Sequence, residues 1–334
     1  MILAGDIGGT STRLAAFDET KPNLVAECIE IYKSSDHETL EGMISLFLKT
    51  HKIKVTAVCI GFAGPVKKGR AVGTNLHWVI SASDLAANLD LRHASIINDL
   101  EANAYGIEVL SSDDFYTLNV GERDDQGNAG LISAGTGLGE AGLAFNGERL
   151  MPFATEGGHC DFAPKTEIEI ELLQYLKKRY KTVSWERVVS GMGLVNIYCF
   201  LRDTGRGTDS PELDAEIMAG GGAAISQAAL QGKSKLCEMT LAMFISLYGA
   251  EAGNLALKLL ATGGMYLGGG IAPKIIERLK TPLFFDAFVS KGRFETLLRA
   301  VPVQVILNDQ TALLGAARYA SLNIGAGQKV AGRV

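Results

Sequence analysis

Two glycine turns, each set between short apolar strands, constrain this chain most. The first follows the apolar residues 1–4: Gly5-Asp6-Ile7-Gly8-Gly9-Thr10, then Leu14-Ala15-Ala16-Phe17. The second follows Ala129-Gly130-Leu131-Ile132-Ser133: Ala134-Gly135-Thr136-Gly137-Leu138-Gly139, then Leu143-Ala144-Phe145. Each reads as a β-hairpin with a glycine-rich turn. Glycines there let the backbone approach a phosphate and aim N–H groups at it. Thr10 or Ser11 adds a hydroxyl donor. Asp6 adds an oxygen that suits Mg²⁺, directly or through water. Two tight hairpins, with Asp6 as a turn residue, would read the same way. The echo fits two related halves, and it equally fits chance recurrence of a common hairpin. Two such turns in one α/β chain favour phosphate binding.

The rest of the pattern is α/β. Strands are expected over 25–32, 55–62, 94–97, 265–267 and 301–307. Helical spacing marks 36–49, 82–89, 100–105, 168–180, 185–202, 214–231 and 235–260. A short helix is expected from Ile271-Ala272-Pro273, and another, capped by Asp309, running to about 321. The 334 residues allow about two domains and a core that needs no disulfides. Glycine makes up 39 of them, about 12% against a usual 7% or so, while proline is only 8. The excess therefore sits at chosen turns and not in linkers.

Charge and cysteine usage exclude several classes. The net charge of −5 gives no basic surplus to hold a phosphate backbone, so no nucleic-acid partner is expected. Cys28, Cys59, Cys160, Cys199 and Cys237 form no CxxC pair and read as reduced thiols. The start reaches an acid by position 6 and has no secretory pattern. No apolar stretch reaches the ~18 residues a membrane span needs. A cytoplasmic protein without membrane attachment is expected.

Two motifs match formally and fail in context. Gln231-Gly232-Lys233-Ser234 ends like a GxxxxGKS loop, but position 227 is Gln227 and the flanks are helical. Gly137-Leu138-Gly139-Glu140-Ala141-Gly142 spells GxGxxG, yet a strand follows where the dinucleotide motif needs a helix. Other residues carry two readings. Asn98, with Glu101 three residues on, fits a helix N-cap. Glu186 fits a first-turn helix acid. His159 beside Cys160 and Asp161 lacks the further paired ligands of a metal site. Gly263-Gly264 and Gly268-Gly269-Gly270 leave room for an adenine ring, or for close helix–strand packing.

Together the Asp6 turn, the Gly135-Thr136-Gly137 turn and the late glycines resemble the sugar-kinase/actin/Hsp70-type ATPase superfamily. Asn98-Asp99, Glu156-Gly157-Gly158-His159, Trp185-Glu186-Arg187-Val188-Val189-Ser190-Gly191 and Asn308-Asp309-Gln310-Thr311-Ala312-Leu313-Leu314-Gly315 are similar to the bacterial ATP-dependent glucokinase family over nearly the whole chain. Asp161-Phe162-Ala163-Pro164 stands where the repressor/open-reading-frame/kinase group has a Cys-rich zinc motif, so the zinc-free type is implied.

The resemblance implies an α/β, two-domain actin-like ATPase (ribonuclease H-like) fold with a cleft between domains. Residues 1–109 with 300–321 would form a small α/β domain, 110–299 a large one, and 322–334 a tail. It implies phosphorylation of glucose to glucose 6-phosphate, feeding glycolysis, with Asp99 as general base. Asn98, Asp99, Glu156, His159 and Glu186 would bind the sugar, near Asn75 and Trp78. ATP would lie on Gly5, Asp6, Ile7, Gly8, Gly9, Thr10, Gly135, Thr136, Gly137, Gly263, Gly264 and Gly269, with Mg²⁺ at Asp6. A homodimer is the family expectation. The alternatives are a kinase of another hexose or of an N-acetyl sugar, a sugar-binding regulatory protein, and a chaperone-like ATPase.

Overall fold

The computed structural model describes residues 1–8, 10–21, 24–73, 78–92 and 94–324. Gly9, Asn75 and residues 325–334 of the expected tail lie outside the described residues. The chain divides into two compact units, Met1–Ser112 together with the chain from Asn308 onward, and Asp113–Leu307.

The first unit begins with β1 (Ile2–Ile7), β2 (Ser11–Phe17), β3 (Ala26–Lys33), α1 (Leu40–His51) and β4 (Ala57–Phe62). A small sheet of β5 (Val66–Lys67), β6 (Arg70–Val72) and β7 (Val79–Ser81) leads to α2 (Ala82–Asn88), β8 (Ala94–Asn98) and α3 (Asp99–Ile107). The main sheet runs β3-β2-β1-β4-β8. β1, β2 and β3 form an antiparallel meander, and β1, β4 and β8 are parallel. Strand alternation sends Leu3 and Leu14 to one face, against Leu40, Met43 and Phe47 of α1. Ile2, Ala4, Ala15 and Phe17 take the other face.

The second unit holds β9 (Phe115–Asn119), β10 (Ala129–Ala134), β11 (Leu138–Phe145) and β12 (Leu150–Thr155). Then come α4 (Glu167–Lys177), α5 (Gly191–Asp203), α6 (Pro211–Leu230) and α7 (Lys235–Leu259). It closes with β13 (Gly264–Gly268), α8 (Ile276–Leu279), α9 (Pro282–Val289), α10 (Glu295–Ala300) and β14 (Val303–Ile306). Its sheet runs β12-β11-β10-β13-β14-β9. Again an antiparallel meander (β12, β11, β10) is followed by parallel strands (β10, β13, β14). The sequence echo is therefore a repeat of topology, since both hairpins open the same five-strand order. Buried α7 crosses this sheet, and Tyr248 Oη donates to the Ile132 carbonyl at 3.2 Å.

The last helix, α11 (Thr311–Ile324), returns to the first unit and packs Leu313, Ala316 and Ala317 on the Ile2/Phe17 face with Ala102 and Tyr105 of α3.

Several expectations need correction. Residues 300–307, expected with the small domain, belong to the second unit. β14 is apolar and buried, and it hydrogen-bonds to β13 on one side and β9 on the other. The stretch 185–202 is not one helix but a 3₁₀ turn, Trp185–Arg187, then α5, because Ser190 caps the Gly193 N–H and stops continuity. α6 is broken at Gly221, whose φ of 62° is left-handed. The chain at Ile271 makes a 3₁₀ turn, Ala272–Ile275, before α8. Asp309 does not cap α11 but accepts from Arg13 at 3.0 Å, while Asn308 Oδ1 takes the Gln310 N–H.

Candidate active site

In the first unit, β1, β4 and β8 end level with one another, Ile7 beside Phe62 and Phe62 beside Asn98. Ligands of α/β sheets bind at such carboxyl ends. Asp6 stands one residue before the end of β1, between Arg13 and Gly61. Burial pushes its carboxyl pKa up, and the Arg13 guanidinium draws it part of the way back. Around it the turn residues divide by task. Gly5 and Ile7 are packing positions: a Cβ on Gly5 would meet Ile60 Cδ1 at 2.6 Å, and Ile7 is buried. The Gly8 N–H is already used by the Ser11 carbonyl at 3.0 Å. Thr10 and Ser11 are exposed.

Asn98 ends β8 and caps α3. Its Oδ1 accepts from the Leu100 N–H at 2.9 Å and the Glu101 N–H at 3.3 Å, and its Nδ2 donates to the Gly64 carbonyl at 3.2 Å. Glu101 in turn takes the Asn98 backbone N–H. Asp99 is thus the first residue of a capped helix, at the end that carries partial positive charge. Trp78 is buried and donates Nε1–H to the His37 carbonyl at 3.3 Å.

In the second unit the β10–β11 turn anchors everything else. Gly135 N–H donates to the Gly137 carbonyl at 2.9 Å, and the Gly135 carbonyl accepts from Gly191 N–H at 2.8 Å. Thr136 is exposed at its tip. Glu186 Oε2 takes the Leu138 N–H at 3.1 Å, so this carboxylate is tied to the turn. Its other oxygen, Oε1, lies 4.0 Å from His159 Nδ1, and His159 Nε2 lies 3.9 Å from Glu156 Oε2. Backbone zippering explains the meeting: Trp185 N–H donates to Cys160 O (3.0 Å) and Phe162 N–H to Val183 O (2.9 Å). The Phe162 and Trp185 rings lock edge to face below. Glu156 and His159 stay more than half exposed, at 66% and 61% of the side chain. The result is an open carboxylate–imidazole–carboxylate row, rich in acceptors and donors for a polyol.

Beside the turn lies a cavity of about 680 Å³, lined by Gly135, Thr136, Gly222, Gln227, Leu230, Ile271 and Lys274 among others. Gly269, at φ 80°, presses against the Ala134 carbonyl, and Ile271 N–H donates to that same carbonyl at 3.2 Å. The late glycine loop is therefore built onto the β10–β11 turn. Gly263 and Gly264 are not: they pair near Ala129, at the far end of β13 from Gly268, and Gly263 packs on the Gly127 backbone. They are packing glycines and do not line the cavity.

A family profile described as glucokinase matches residues 3–323. The chain belongs to the glucokinase family. The glucokinase of Trichormus variabilis is 43% identical over 96% of this chain and 99% of its own. Among solved structures, a glucokinase from an Antarctic psychrotroph has 33% identity and a TM-score of 0.84, covering 96% of this chain and 98% of that one. A glucokinase of the repressor/open-reading-frame/kinase group from Streptomyces griseus, solved with glucose and AMPPNP, shares the fold at TM-score 0.60 and 21% identity. The architecture is the two-domain actin-like ATPase fold.

In this glucokinase-family chain, sequence reasoning left the Gly220–222 run without a role. A Cβ on Gly222 would stand 2.5 Å from the Gly191 carbonyl, so the run lets α6 approach α5 and form the cavity wall. Ser226, Gln227, Leu230, Gln231 and Lys274 were missed with it. The available signal was three glycines inside a helical stretch, which local propensity disfavours.

Proposed function

We propose that this chain catalyses ATP-dependent phosphorylation of glucose to glucose 6-phosphate, the first step of glycolysis. One observation carries the reading: an open carboxylate–imidazole–carboxylate row, Glu156–His159–Glu186, is hydrogen-bonded through Glu186 to a glycine turn beside a cavity of about 680 Å³. A chaperone-like ATPase has no use for that row.

The sugar 6-hydroxyl oxygen attacks the γ-phosphorus in line, and the bond from phosphorus to the ADP oxygen breaks. Asp99 accepts the hydroxyl proton as the new bond makes that oxygen acidic. Asn98, Glu156, His159 and Glu186 orient the hydroxyls. The exposed hydroxyls of Thr10 and Thr136 grip the phosphates, since the Gly8 and Gly135 N–H groups are already bonded within their own turns. Ala223, Gln227 and Ile271 would flank the adenine ring. Asp6 offers one oxygen donor, which fits Mg²⁺ that keeps several waters; its raised pKa and the facing Arg13 argue against a bare inner-sphere cage. When bound, Mg²⁺ supplies charge neutralisation on the phosphates. Among the described residues no cluster of three or more His, Cys, Asp and Glu suits a metal. The same reading places the enzyme in the cytoplasm as a homodimer of the zinc-free type. Free thiols at all five cysteines agree with a reducing compartment.

A coupled ADP-release assay over glucose, other hexoses and N-acetyl sugars tests the proposal. Glucose is expected to give the highest kcat/KM. Equal turnover with an N-acetyl sugar, or ADP release that ignores added sugar, overturns it.

A further inference from the structure

The Glu156–His159 turn rests on a buried carboxyl pair that the mechanism above does not use. Glu140 on β11 is in register with Thr155 on β12. Thr155 Oγ1 donates to the Glu140 carbonyl at 2.9 Å and accepts from Gly157 N–H at 3.1 Å. The Glu140 side chain then passes under Gly157, where it fills the space a Cβ would need. Glu140 is 1% exposed, and Glu251 on α7 is fully buried.

Both carboxyls are withdrawn from water, and the Glu251 charge opposes ionisation of Glu140. Glu251 is the compensated partner: it accepts from Asn254 Nδ2 at 2.7 Å and pairs with Lys258 Nζ at 3.2 Å. Among the described residues no donor reaches Glu140 Oε1. An ionised Glu140 would be a buried and unpaired charge. Around the pair, Lys291 Nζ donates to Asn254 Oδ1 and Ala250 O. Lys165 and Glu169 act on Lys291 from beyond, and Cys160 on Lys258.

We propose that Glu140 is a positioning residue for sugar binding: held as a neutral acid against Glu251, it props the Gly157 peptide and sets the spacing of Glu156 and His159. This rests on the reading of those residues as sugar ligands. Burial first, and then the Glu251 charge, push the Glu140 carboxyl up to about 8, with Lys258 opposing. Burial and the neighbouring cations bring Lys291 down to about 8 as well. Because the folded value of Glu140 lies above the unfolded one, the stability tied to its neutral form is full below the ordinary carboxyl range. It is lost as pH rises toward about 8. Beyond that pH a buried, uncompensated carboxylate lies beneath Gly157, repelled by Glu251, and the turn is pushed out of register.

Glucose KM and kcat of the full chain, followed from about pH 6.5 to 9.5, test this. The wild type is expected to show glucose KM climbing about tenfold on the alkaline side, with kcat and nucleotide KM within about twofold. E140A raises glucose KM at neutral pH. E140Q, which keeps the shape and stays neutral, restores it and flattens the alkaline rise. K291R cannot deprotonate in this range and keeps the rise. Persistence of the rise in E140Q, or its loss in K291R, overturns the proposal. Infrared difference spectra give a second measure that does not depend on sugar. A protonated-carboxyl band present at neutral pH, absent in E140Q and titrating away near pH 8 supports the assignment; no such band at neutral pH overturns it. If E156Q and H159Q leave glucose KM unchanged, the sugar-binding reading fails, while the infrared titration stands independently.

Discussion

Asn98 and Asp99 are neighbours with separable work, and that separation can be measured. Asn98 satisfies two N–H groups of α3 and the Gly64 carbonyl, so its loss is structural as well as functional. Asn98→Ala is expected to cost about 1 kcal/mol from the cap alone. Asp99, by the proposed mechanism, takes the hydroxyl proton, so Asp99→Asn keeps the fold and loses chemistry. Its kcat should fall by about 10²- to 10⁴-fold, with unchanged thermal midpoint and nucleotide affinity. Steady-state kinetics beside calorimetry distinguish the two, and an Asp99→Asn enzyme within a few-fold of wild-type kcat would remove Asp99 from the role of base. The cap was legible in the sequence because its signal is local: an amide, then a carboxylate three residues on. Asp309 was misread for the complementary reason. Its partner Arg13 lies almost the whole chain away, and no local pattern announces that pair.

At the level of elements, the β10–β11 turn ties Glu186 to its own backbone and, by the proposed function, holds both phosphate-side and sugar-side groups. Gly158 is the joint between them. A Cβ there would run into the Leu138 carbonyl, a backbone atom on the turn that also feeds its N–H to Glu186. Relief requires the turn or the 156–159 segment to move. Gly158→Ala is therefore expected to raise glucose KM about tenfold or more and to cost roughly 1–3 kcal/mol of stability. An alanine enzyme with wild-type glucose KM would mean the two segments are not coupled. Strands and turns at 1–17 and 129–145 could be read directly, since alternation and glycine placement are short-range signals. The break at Gly221, the α6 approach to Gly191 and the far-end position of Gly263 could not. Each depends on which distant backbone comes to lie beside a glycine, and sequence spacing alone does not carry that.

For the whole molecule, the topological repeat gives each unit its own sheet and its own core, and the chain stitches them in an asymmetric way. The second unit is continuous, and the described residues that line its cavity are its own. The first unit depends on α11, which arrives from the other end of the chain to bury Leu313 against the Ile2/Phe17 face. Leu313 is fully buried, so Leu313→Ala removes transfer energy and leaves a cavity, at about 2–5 kcal/mol. That cost falls on the first unit. Calorimetry of the variant should show one transition moved down and a second unchanged. ADP binding, followed by a fluorescent nucleotide analogue, should weaken but persist at temperatures where the first unit has melted, because among the described residues those lining the cavity lie between Asp113 and Leu307, while the first unit would supply only Thr10 and Asp6. Glucose-dependent turnover should disappear at the lower transition, since Asn98 and Asp99 go with it. A single transition that carries nucleotide binding down with it would show that the two cores unfold as one, and that the cavity of the second unit depends on the first unit for its stability.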